Sequence, residues 1–155
     1  MKNARIASEL QKLEALFRAT AASSGGDLEL QSHWAKYLCV RVAGCLENAV
    51  FEIYSDVISR MASPRVAKFA TSRLEKVQNP KADKFLEIAR AFDSKWADEL
   101  EAFLAGEGRK EAVDSIMANR HLIAHGDNSG ITIARLRGFF DKSVEVLEYI
   151  EIQCC

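Results

Sequence analysis

The stretch Asn119-Arg120-His121-Leu122-Ile123-Ala124-His125-Gly126 gathers an arginine and two of the chain's three histidines into eight residues. Arginine carries a permanent charge on a planar fork of donors that matches phosphate oxygens. Histidine is the side chain whose ordinary pKa suits proton transfer near neutrality. Together these types point to phosphodiester chemistry that needs no metal. Simpler roles compete for the same residues. His125 near a helix C-terminus complements the macrodipole as a cation, and Arg120 is suited to a surface ion pair with Asp127 or a neighbour. His121 and His125, four residues apart, can also face one metal ion. No Glu-x-x-His pair accompanies them and His33 is the remaining histidine, so neither a metal nor another cofactor is expected.

The elements that must position this octet read as helices throughout. Apolar residues recur at steps of three and four, and strand signals are nearly absent. Both prolines follow capping residues, Ser63-Pro64 and Asn79-Pro80, the arrangement that opens a helix. A first helix is predicted from Asn3 to Ala22, burying Ile6, Leu10, Leu13, Leu16 and Phe17, and ending at Ser23-Ser24-Gly25-Gly26. Asp27 caps a second that runs to Met61, with Leu30, Trp34, Tyr37, Leu38, Cys45, Phe51, Tyr54 and Ile58 on its stripe. At some 34 residues it would be roughly 50 Å long, either the spine of a bundle or bent near Gly44. Shorter helices follow over 63–77 and 80–92, and 94–104 either continues the latter or restarts at Ser94. Gly106-Glu107-Gly108 precedes a helix from Arg109 to His125, which Gly126 ends in a left-handed turn. Thr132 caps the last helix, through Ile133, Leu136, Phe139, Phe140, Val144, Leu147 and Ile150. The fold class is an all-α bundle of four main helices plus shorter ones, in a single domain spanning 1–155.

Bulk composition narrows the function. The 155 residues suffice for one domain with a real core, and 48% hydrophobic with 28% charged content excludes disorder. A net charge of −1 supplies no global attraction to nucleic acid, so RNA binding would need a local basic patch. The N-terminal segment lacks the apolar core of a signal peptide, and no run approaches the roughly 18 apolar residues of a membrane span. A cytoplasmic protein that does not engage a membrane is expected. Cys39 and Cys45 read as free buried thiols. Cys154-Cys155 reads as a frayed pair of terminal thiols, ahead of a prenylation signal.

The arrangement resembles the HEPN domain family, whose motif is an arginine, a polar residue, three variable residues and a histidine near the end of the penultimate helix. Arg120, His121 and His125 fill those places, with His121 where asparagine is commonest. The Ile-Ala-His-Gly ending, the apolar helix after a short polar loop and the long second helix carrying Gly44-Cys45-Leu46-Glu47 add to the likeness. It extends over about Trp34–Tyr149 and is nearest to small prokaryotic members of the RiboL-PSP-HEPN kind. The resemblance implies a metal-independent endoribonuclease acting as a homodimer, in which the RNA 2′-hydroxyl attacks its own adjacent phosphorus. His125 would be general base or acid, Arg120 would stabilise charge on the phosphoryl oxygens, and His121 would donate a hydrogen bond or serve as the complementary acid. Arg120 and His125 are separated by about 140° around an ideal helix. A two-fold axis that meets the patch with itself would bring the two residue types from different subunits to one phosphate.

The resemblance further implies use in toxin–antitoxin or antiviral systems, with RNA as substrate and restraint by a nucleotidyltransferase-type antitoxin or another defence-operon protein. The alternative is a non-catalytic HEPN module that binds RNA, a nucleotide or a protein. Supporting polar candidates are Asn119 beside the motif and Glu47 and Asn48 on the long helix, where Glu47 either pairs with Arg120 or lies on a solvated face. Arg109, Lys110, Arg135, Arg137 and Lys142 are candidate RNA contacts. Between 109 and 142, however, six basic side chains face four acidic ones, a slight excess. Trp34, Tyr37, Phe51 and Tyr54 read as core or dimer interface.

Overall fold

In the computed structural model the chain forms seven helices. They are α1 (Ala4–Ser23), α2 (Leu28–Met61), α3 (Pro64–Leu74), α4 (Ala82–Phe92), α5 (Ser94–Leu104), α6 (Arg109–Ala124) and α7 (Ile133–Gln153). The description covers all 155 residues. Side chains start most of the long helices: Asn3 accepts from the N–H groups of Arg5 and Ile6, Asp27 from Leu30 and Thr132 from Arg135. Each satisfies donors that a helix start leaves orphaned. Ser63 holds the cap position of α3 with Pro64 next to it, yet its hydroxyl makes no cap bond.

Asn79-Pro80 is the clearest departure from expectation. The helix starts at Ala82 rather than at Pro80, because Asn79 takes a left-handed φ of 49° and turns the chain first. Two carboxylates from other helices hold this turn. Glu47 Oε2 accepts from the Asn79 N–H at 2.6 Å, and Asp114 Oδ1 accepts from the Ala82 N–H at 2.8 Å. Asp114 therefore satisfies the start of α4 from a distance, a role that no local pattern announces. α3 ends at Leu74, short of Val77, and Asp93 separates α4 from α5, accepting from the Lys95 N–H.

The 34 residues of α2 continue unbroken through Gly44, so α2 is the spine. Arg60 donates to the Cys154 carbonyl at 2.8 Å, which aligns the C-terminal ends of α2 and α7. Arg109, at the start of α6, pairs with Glu145 late in α7, so α6 runs antiparallel to both. Glu14 of α1 pairs with Arg137 early in α7, so α1 also opposes α7. One end of the bundle thus collects the close of α1 and α6 with the opening of α2 and α7. A cluster of 35 buried residues draws on all seven helices. At about 25 cal/mol per Å² of apolar surface, this shared burial is the main force holding the helices together.

Several expected core positions lie elsewhere. Leu30 and Tyr37 are exposed at 39% and 44%, while Trp34, Cys45 and Phe51 are half-buried and Tyr54 is fully buried. The stripe that packs on α6 and α7 is offset, carried by Ala35, Leu38, Cys39, Val42, Leu46, Ala49, Val50 and Ile53. Cys154 is no frayed thiol either: it is buried in the core, and burial pushes its pKa up to about 12. Cys39 is buried as expected, with its thiol also pushed up to about 12 and donating toward the Ile116 carbonyl at 3.6 Å. No helix is long and apolar enough to cross a membrane.

Candidate active site

The octet occupies the last two turns of α6 and its C-terminal cap. Apolar Ile116 and Met117 anchor the preceding turn in the core. His125 is the C-cap residue and Gly126 follows with a φ of 77°. The Asp127 N–H donates to the Leu122 carbonyl at 2.9 Å and the Gly126 N–H to the Ile123 carbonyl at 3.1 Å. This pair of bonds closes the helix in the Schellman arrangement. It fixes the backbone of His125 between a core-anchored helix and a left-handed glycine.

Around that backbone the functional side chains are free. Arg120, half-buried, has no ion pair or hydrogen bond with any side chain, so the expected partnership with Asp127 or Glu47 does not form. His121 and His125 are exposed, with ring centroids 4.4 Å apart and planes at 61°. No group of three or more His, Cys, Asp or Glu residues is arranged to hold a metal ion. Asn119 turns back on its own helix, donating from Nδ2 to the Ser115 carbonyl at 2.8 Å. The site therefore offers one guanidinium and two imidazoles with every polar atom available to a ligand, at the open end of the bundle.

The supporting candidates divide. Glu47 clamps the 79–82 turn rather than the motif arginine. Asn48 lines a groove of about 640 Å³ between α1 and α2, beside Arg5, Arg41 and Cys45. Of the five candidate RNA contacts, four are committed within the fold. Arg109 donates to Glu145 at 2.8 Å and to the Phe103 carbonyl at 3.3 Å, with its guanidinium 4.0 Å from the centre of the Phe103 ring. That ring in turn stacks on Tyr149 at 4.1 Å. The hydrogen bond and charge of Arg109 hold the Glu145 carboxyl below the usual range. Arg109 is thus the bolt between α5, α6 and α7. Lys110 pairs with Asp83, Lys142 with Glu107 and Glu145, and Arg137 makes two bonds to Glu14, at 2.7 and 2.8 Å. Only Arg135, exposed near the Phe139 ring at 5.9 Å, has no carboxylate partner.

Sequence reading missed the contribution of the first two helices. Arg18 near the end of α1 and Lys36 near the start of α2 also lack carboxylate partners, and both belong to the motif end of the bundle. Their separation from residue 120 along the chain hides that shared end until the helix directions are known.

A family model described as RiboL-PSP-HEPN matches residues 2–155. No curated protein and no solved structure matches the chain. The match includes α1, which the motif-based resemblance left out. Because it spans all seven helices rather than the motif helix alone, the chain belongs to the RiboL-PSP-HEPN family.

Proposed function

We propose that the protein is a metal-independent endoribonuclease that cleaves RNA by attack of a 2′-hydroxyl on the adjacent phosphorus, working as a homodimer. The observation that carries this reading is that Arg120, His121 and His125 stay unpartnered at an open helix end, while Arg109, Lys110, Arg137 and Lys142 on α6 and α7 are in ion pairs. In the proposed step one imidazole takes the 2′-hydroxyl proton as the oxygen bonds to phosphorus. The bond to the 5′-oxygen breaks, and a protonated imidazole supplies that leaving oxygen with its proton. The products are a 2′,3′-cyclic phosphate and a free 5′-hydroxyl. Arg120 stabilises the charge on the non-bridging oxygens through donors already in place.

Dimerisation is supported by exposed apolar surface on the opening half of α2. Tyr37 and Val40, 44% and 41% exposed, and Leu28 and Leu30 leave the opening half of α2 with uncovered apolar area. A second copy covering it would also complete a site whose Arg120 and His125 diverge around their helix. A cytoplasmic toxin or antiviral effector restrained by a neighbouring protein is the biological setting we propose.

Purified protein should cut RNA in EDTA and leave 2′,3′-cyclic phosphate ends. Arg120→Ala and His125→Ala should each reduce the rate by about 10²-fold or more. Variants as active as wild type would remove the catalytic reading. The commitment of Arg109, Lys110, Arg137 and Lys142 to ion pairs favours a second reading, a module that binds RNA, a nucleotide or a protein without cutting. Binding without cleavage, unaffected by both substitutions, would establish it instead.

A further inference from the structure

A second group of cations that the fold leaves unpaired stands far from the motif, on α3 and just after it. Between Pro64 and Lys76 the chain has four basic side chains, Arg65, Lys68, Arg73 and Lys76, against the single acidic Glu75. All four are exposed and none forms an ion pair, whereas Lys110, Arg137 and Lys142 on α6 and α7 all do. Among them stands Phe69, 62% exposed, with the Arg73 guanidinium 5.2 Å from its ring centre. Val66 is 56% exposed on the same helix. At about 100° per residue, Arg73 projects between Phe69 and Val66, and Arg65 lies on the far side of Phe69. Charge and apolar surface therefore interleave. A helix that enters a lipid interface segregates them into two faces.

We infer that α3 is a docking surface for single-stranded RNA, the cations tracking its phosphates and Phe69 with Arg73 stacking a base. The inference rests on the RNA reading above and gives that substrate a second point of attachment. Cations without carboxylate partners, around an aromatic open on one side, are what sequence-tolerant strand binding requires. The position suits the purpose. α3 leaves α2 at Met61, opposite the motif end, and returns until Asn79 reaches Glu47. From Lys36, near the motif end, to Glu47 is about 16 Å along α2 at 1.5 Å per residue. A strand of roughly ten nucleotides, within the range that such surfaces hold, covers that distance and continues onto α3.

The test is fluorescence anisotropy with a labelled oligouridine of about 16 nucleotides, on full-length protein carrying His125→Ala to keep the probe intact. In that background Arg65→Gln, Lys68→Gln, Arg73→Gln and Lys76→Gln are combined. All four positions are exposed, and a thermal melt checks that the fold survives. Affinity should fall about tenfold or more, and the slope of log affinity against log salt should flatten by up to about 3, at roughly 0.7 for each phosphate no longer neutralised. Phe69→Ala should weaken binding about tenfold with the slope unchanged. Equal affinity and slope in the fourfold variant would overturn the inference. So would α3-dependent binding to phosphatidylserine vesicles, or to polyglutamate as an acidic-protein surrogate, with RNA binding unaffected. Cleavage separates this inference from the previous one. Wild type that binds through α3 but never cuts loses the nuclease and keeps the docking surface. Cutting with the same KM in the fourfold variant does the reverse.

Discussion

At the residue scale, the free state of Arg120, His121 and His125 sets them apart from Arg109, Lys110, Arg137 and Lys142, which are held in ion pairs. An arginine that pairs with a carboxylate in its own chain must give up that partner before it can hold a phosphate. Arg137, with two bonds to Glu14 and a further carboxylate in Asp141, would lose the most, and its own pKa is raised by those partners. Arg120 has nothing to surrender. The two imidazoles, with ring centroids 4.4 Å apart, are close enough to serve the same phosphate as base and acid in turn. If His121 is the complementary acid, wild-type kcat/KM should follow a bell-shaped pH profile. His121→Asn should then lose the alkaline limb and about 10²-fold in rate. Asparagine keeps a hydrogen-bond donor there while removing the titrating proton, so an intact bell in that variant would reduce His121 to a bystander.

At the element scale, α6 works as a strut whose last turn is locked from both sides. Ile116 and Met117 hold it in the core, and the Schellman bonds to Leu122 and Ile123 close it. The φ of 77° at Gly126 is what allows that closure. A Cβ at this conformation costs about 1–2 kcal/mol, and less for asparagine than for alanine. Gly126→Ala should therefore destabilise the fold by about that amount in urea unfolding, with Gly126→Asn falling in between. An alanine variant as stable as wild type would show that the left-handed turn is not what ends the helix. This turn was legible in the sequence, as were the caps at Asp27 and Thr132, because each depends on residues within a few positions. The start of α4 was not. Its donors are satisfied by Glu47 and Asp114, each 32 residues away in the chain, and local pattern contains no trace of them. The same limit explains Glu47, which reads equally as a partner of Arg120 or as part of a solvated face until the path of the 79–82 turn brings Asn79 to it.

At the scale of the whole molecule, helix direction decides what the motif can do. With α1 and α6 ending where α2 and α7 begin, Arg120, His121 and His125 share the open end with Arg18, Lys36 and Arg135, and with the uncovered Leu28, Leu30 and Tyr37. One chain thus presents proton-transfer groups, a phosphate clamp and apolar surface together. It provides only one copy of each catalytic group, with Arg120 and His125 diverging around the helix. If the working site joins the arginine of one subunit to the histidine of the other, defects in different residues must complement. In a dimer of Arg120→Ala with His125→Ala, one of the two sites combines both lesions and the other is intact. Mixing the two inactive proteins under conditions that exchange subunits should restore about a quarter of wild-type activity, since half the dimers are mixed and each has one good site of two. A site contained within one subunit predicts no recovery, because each chain then carries its own lesion into its own site. Introducing charge with Tyr37→Glu and Val40→Glu should abolish that recovery by keeping the subunits apart, and sedimentation should report monomers. Recovery that persisted in these variants would place the dimer interface on another face.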